Sequence, residues 1–208
     1  MDNIKHTEQK ILEAARLTFH KKGFNGARMQ EIADLAGINK SLLHYYFRNK
    51  ELLFEKVFND TFAQIATKIS EIFFSEMTLM TKIEIFVNFY INIISRNSFV
   101  VHFIINALHD KPEQLREIIT RNNISPEIFL AQIKKQLKEE MGLDIDPLHI
   151  YVNILALVIF PVVAKPLIQS LFLIPEEKMN VFFEERKKIV PTFIANALKG
   201  YEKDKSLV

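Results

Sequence analysis

Glycine is scarce in this 208-residue chain, and its placement constrains the architecture more than any other feature. Gly23, Gly26, Gly37, Gly142 and Gly200 each stand where a run of apolar residues at helical spacing stops. A chain leaving a helix enters the left-handed conformation most easily where there is no Cβ. None of the five is left over for a phosphate-cradling loop, a dinucleotide fingerprint or a nucleophile turn. No stretch alternates apolar and polar residues between hairpin turns, so the pattern predicts an all-α fold.

With 49% hydrophobic and 25% charged residues, the chain can build one sizeable core, or a small module joined to a larger one. The absence of cysteine excludes disulfides and thiolate metal sites and is compatible with a reducing cytosol. MDNIKHTEQK at the start is too polar for a signal peptide, so a cytoplasmic location is expected. Residues 1–56 hold ten Lys/Arg against seven Asp/Glu, whereas the remainder holds 17 against 18. That mild basic bias is the kind a nucleic-acid surface carries.

A first helix is expected over about 6–22, with Ile4, Ile11, Leu12, Ala15 and Phe19 on one stripe and Gly23–Phe24 closing it. A short second helix, about 28–35, presents Met29, Ile32, Ala33 and Ala36 inward. Gly37 breaks it, and Asn39 caps a third helix beginning at Lys40. Ile32, Ala33, Ala36, Gly37, Ile38, Leu43 and Tyr46 together meet the demands of a helix-turn-helix. Small residues sit where two helices cross, a glycine occupies the tight turn, and apolar residues lock the second helix across the first.

The third helix carries more rings than packing requires: His44, Tyr45, Tyr46 and Phe47 are consecutive. At about 100° per residue, Lys40, Ser41, His44 and Tyr45 fall on an outward arc, and Leu42, Leu43 and Tyr46 on an inward one. The outward arc combines a cation, a hydroxyl and two flat groups with polar tips, which can meet phosphates and base edges in a major groove. Phe47 is expected to anchor the fourth helix. Asn49 caps that helix, and Lys50 at its first position suits a phosphate.

Through GARMQEIADLAGINKSLLHYYFRNKELLFEKVF the chain resembles the N-terminal domain of TetR-family (TetR/AcrR) transcriptional regulators over roughly residues 7–58. The resemblance implies a three-helix DNA-binding domain at 1–50, a connecting helix 4 at 49–75, and a larger helical effector-binding and dimerisation domain over 51–208. By position, it places DNA contacts on Arg28, Gln30, Lys40, Ser41, Leu42, His44, Tyr45, Tyr46 and Lys50. Two residues depart from the family pattern: Ala27 stands where a threonine often caps helix 2, and His44 where a tyrosine is usual.

Beyond residue 58 the sequence speaks of helices more than of chemistry. Asp110, Pro112 and Glu113 read as a helix start, as do Ser125 and Pro126. PLHIYVNILALVIFPVVA, residues 147–164, carries no charged side chain and has the length of a membrane span. His149, Asn153 and Pro161 inside it, with Lys165 and Pro166 following at once, favour a helix buried by a partner. Helices at about 147–172 and 176–199 are therefore expected to form a homodimer interface, with Pro161 and Pro191 kinking them. No membrane association is expected.

Tyr90, His102, Asn106 and Asn153 are polar groups amid apolar runs and are the candidate residues for orienting a small, mostly apolar ligand. His102 and His109 lie seven residues apart, about 10 Å along a helix, too far to hold one metal ion alone. No cofactor, metal or catalytic constellation is expected. The favoured reading is a homodimeric repressor that binds a palindromic double-stranded operator and is released by a small ligand, with helix 4 transmitting the change. The alternatives are a DNA-binding regulator without a small ligand and an all-α enzyme.

Overall fold

The computed structural model describes residues 2–97, 99–101, 104–105, 113, 117, 120 and 125–203. Among them helix is the only regular secondary structure. The chain forms two compact units, Met1–Gln64 with Arg96–Pro112, and Ile65–Ser95 with Glu113–Val208.

The first unit contains α1 (Asp2–Gly26), α2 (Met29–Ala36), α3 (Lys40–Tyr46) and the start of α4 (Lys50–Phe73). Ile11, Ala15 and Phe19 of α1 are buried with Ile32 and Ala33 of α2, Leu43 of α3, and Leu53, Val57 and Phe58 of α4. The rings of Phe19 and Phe24 both meet Phe54 edge-on, at 4.9 and 5.0 Å between centroids. Phe99 closes on the same cluster, 5.9 Å from Phe54. α1 runs past its expected end because the break at Gly23 (φ 66°, ψ 178°) is followed by another short helical stretch.

Local chemistry explains the turn. At Gly37 (φ 69°, ψ 32°) the backbone folds back, and the Ile38 N–H reaches the Ala33 carbonyl at 3.0 Å, which closes α2. Asn39 Oδ1 then accepts the Leu42 N–H at 2.8 Å and starts α3. Asn49 Oδ1 does the same for Leu52, also at 2.8 Å, and starts α4. Two glycines depart from the pattern that drew attention to them. Gly26 has no positive φ, and Gly200 lies within the last helix.

The second unit takes in the rest of α4, α5 (Leu79–Arg96) up to Ser95, α6 (Pro126–Met141), α7 (Pro147–Val163), α8 (Lys165–Phe172) and α9 (Glu176–Lys203). Gly142 (φ 68°) ends α6, and the Asp146 side chain accepts the Leu148 N–H at 2.9 Å to start α7. α7 packs on α6, α8 and α9.

The long apolar segment is not one helix. It bends by 64° at the junction of α7 and α8, and among the described residues no single helix is long and apolar enough to cross a membrane. The span expected at about 147–172 for dimerisation is thus two helices. Pro161 and Pro191 both lie inside their helices, as the sequence indicated. Pro161 cannot donate to the Leu157 carbonyl, and the Arg186 guanidinium of α9 bonds that carbonyl instead.

Lys82 of α5 is fully buried, at 0% exposure. Its ammonium donates to the Phe73 carbonyl and to Gln136 Oε1, each at 2.8 Å. Gln136 in turn donates to the Met77 carbonyl and to Glu140, and Glu140 accepts the Leu79 N–H. Burial pulls the Lys82 ammonium below its ordinary pKa, and Glu140 and Glu76 oppose that shift.

Candidate nucleic-acid interface

α3 is a seven-residue helix fixed by one buried side chain, Leu43, and by its two ends. Lys40, Ser41, His44 and Tyr45 are all exposed, as the helical wheel placed them. Tyr45 is 82% exposed, and its ring meets Tyr46 edge-on at 5.7 Å. Tyr46 itself is half-buried, so the two neighbouring rings serve different surroundings. Leu42 differs from the wheel: assigned to the inward arc, it is 36% exposed, because a helix this short is covered on one narrow face only.

Arg28 and Gln30 are exposed at the start of α2. The cap position of that helix is Arg28, one residue beyond Ala27, and its side chain makes no capping bond. Gln30 Nε2 donates to Asp34 Oδ1 at 2.7 Å. Lys50 is half-buried. Its ammonium lies 3.3 Å from the Ala27 carbonyl and 4.5 Å from the centroid of Phe24, so it ties the start of α4 to the α1–α2 connection. Sequence reasoning missed the Arg48 carbonyl, which receives His44 Nδ1 at 3.1 Å. A backbone group beyond a helix end leaves no trace in residue types.

The candidate ligand residues are more scattered. His102 and Asn106 lie outside the described residues, and Asn153 is exposed on α7. Tyr90 belongs to a run of rings in the second unit. It is 5.2 Å from Phe86, which is 5.7 Å from Phe73, itself 4.1 Å from Phe129. Phe129 then meets Tyr151 at 5.3 Å, a residue the sequence had not singled out. Burial pushes both phenols above their ordinary pKa, and Tyr151 adds to the shift at Tyr90. Among the described residues no group of three or more His, Cys, Asp or Glu could hold a metal ion.

The helix-turn-helix segment matches a known family model, "Bacterial regulatory proteins, tetR family", over residues 11–57. Over these residues the chain is similar to the TetR family of bacterial regulatory proteins. Its TetR-type segment is 52% identical over 44 residues to the transcriptional regulator RutR of Escherichia coli (strain K12), a match covering 21% of each chain. It is 42% identical over 57 residues to the transcriptional repressor NicS of Pseudomonas putida, 27% of each chain. The matched part thus spans about a fifth to a quarter of the length of these relatives. The fold is shared over most of the chain. The crystal structure of FadR from Bacillus subtilis in complex with stearoyl-CoA superposes with a TM-score of 0.54 at 16% identity, covering 88% of this chain and 96% of that one.

Proposed function

We propose that this chain is a TetR-family homodimeric transcriptional repressor that seats α3 of each protomer in successive major grooves of a palindromic operator and is released by a small, mostly apolar ligand. The observation that carries the reading is the outward face of α3, with an exposed Tyr45 ring flanked by Lys40, Ser41 and His44. Cations and hydroxyls there suit phosphates, and flat groups suit base edges. Arg28 and Gln30 would extend the contact from α2. Leu42 and Tyr46 flank the same face, and Lys50 would add a backbone contact at the start of α4.

Dimerisation is supported by exposed apolar side chains on the same helices that sequence reasoning selected: Leu148, Val152 and Phe160 of α7, and Val181, Ile189 and Phe193 of α9. One recognition helix covers a few base pairs, whereas two on a twofold axis read half-sites a helical turn or its multiple apart. Release by a ligand is supported by the rings around Tyr90 and Tyr151, an apolar setting with two phenol hydroxyls. The name of NicS supports repression as the sense of regulation, and the stearoyl-CoA of FadR supports an apolar effector, each being a property of that relative. α4, which leaves the first unit and enters the second, is the natural carrier of the signal.

The test is binding of the full chain to duplex DNA from a randomised pool, followed by a salt titration of the selected sequence. A steep decline in affinity with salt is expected from phosphate neutralisation. Tyr45→Ala should weaken binding about fivefold or more, with the melting temperature unchanged. Failure to enrich any sequence at low salt would end this reading. Enrichment without release by apolar compounds would leave a regulator that has no small ligand.

A further inference from the structure

His44 differs from the long side chains around it in having its ring fixed by the backbone. Its Nδ1 lies 3.1 Å from the carbonyl oxygen of Arg48, just beyond the end of α3. That carbonyl sits in a turn held on both sides. The Phe47 N–H bonds the Leu43 carbonyl at 2.8 Å, and the Asn49 side chain caps α4. A carbonyl oxygen only accepts, so Nδ1 must carry the hydrogen, and in the neutral ring Nε2 is left as a bare acceptor. The side chain is exposed on the same face as Tyr45.

A bare acceptor is useless against a phosphate, which offers only acceptors of its own. In the major groove the matching donors are the exocyclic amino groups, N4 of cytosine and N6 of adenine. Guanine and thymine present acceptors along most of that edge and would face Nε2 unfavourably. Phosphate contacts on this face then fall to Lys40, Ser41 and Tyr45, which all have hydrogens to give.

We propose that His44 is a specificity-determining residue that accepts, through Nε2, the amino group of a cytosine or adenine at one position in each half-site. The inference rests on the DNA-binding reading of α3 and adds to it a direction of hydrogen bonding and a base class.

Two measurements on the full-length chain test it. Side-chain nitrogen NMR of the neutral ring should show the Nδ1–H tautomer for His44. A sequence selected from a randomised duplex pool is then varied one base pair at a time. At one symmetric position, replacing cytosine or adenine by guanine or thymine should cost the wild type about fivefold or more. His44→Phe should bind all four bases there alike, with preferences elsewhere and the circular dichroism unchanged. His44→Gln, whose amide oxygen also accepts, should regain part of the preference. An Nε2–H tautomer overturns the proposal, as does a selected operator whose base preferences are indifferent to position 44. Absence of any selected sequence would instead remove the DNA-binding reading, and this inference with it.

Discussion

Lys82 shows what a single side chain contributes when it is sealed from water. A buried ammonium is costly unless its hydrogens are used, and this one gives two of them to the Phe73 carbonyl and Gln136 Oε1. Lys82→Met keeps the bulk and orphans both acceptors, so unfolding free energy should fall by about 1–3 kcal/mol for each one left dry. The pH dependence has a definite sign. The folded-state pKa is lowered by burial, so between that value and about 10.4 the unfolded chain holds more protons. Stability contributed at this site therefore rises with pH across that window. Urea unfolding of wild type and Lys82→Met at about pH 7 and about pH 10 should show their gap widening in alkali. A gap that stays constant would mean that the ammonium is solvated.

Among the elements, those whose boundaries are set by neighbouring residues were legible in the sequence. Gly37, Asn39, Asn49, Ser125 and Gly142 all begin or end helices where their chemistry suggested, since capping is decided within four residues. The two prolines at 161 and 166 show where that reading runs out. Pro161 is carried inside α7 because Arg186 of α9 takes over the Leu157 carbonyl, whereas Pro166 opens a new helix after a 64° bend. The compensation comes from 29 residues away, beyond the reach of any local pattern. The exposed face of α3 was legible for the same reason as the caps: a seven-residue helix has little choice of face. Tyr151 was missed because aromatic neighbours in space are distant in sequence. The end of α8 was also unreadable, because Leu173 takes the left-handed conformation normally left to glycine (φ 52°) while being 87% exposed. Holding that conformation costs about 1–2 kcal/mol. Leu173→Gly should therefore raise the melting temperature of a dilute, monomeric sample. If the leucine is retained for self-association, the same variant should raise the dimer dissociation constant in sedimentation equilibrium. Stabilisation without any loss of association would leave the strain at Leu173 with no role.

At the scale of the whole molecule, the proposed operator recognition and the proposed docking of a second copy on the apolar faces of α7 and α9 are linked by arithmetic. Two tethered modules gain about 10²–10⁴ in apparent affinity over one, provided both half-sites are reached together. Phe193 is 60% exposed in the single chain, so Phe193→Asp leaves the fold of a protomer intact but puts a carboxylate where a second copy would dock. Sedimentation should then report monomers, and affinity for a palindromic duplex should drop by about a hundredfold, while binding to an isolated half-site is unchanged. Tyr45→Ala should do the reverse, keeping the dimer and weakening both duplexes. The two variants therefore separate assembly from reading. A Phe193→Asp chain that stays dimeric would move the interface off α9, and a monomer that holds the palindrome as tightly as wild type would mean that one α3 is enough.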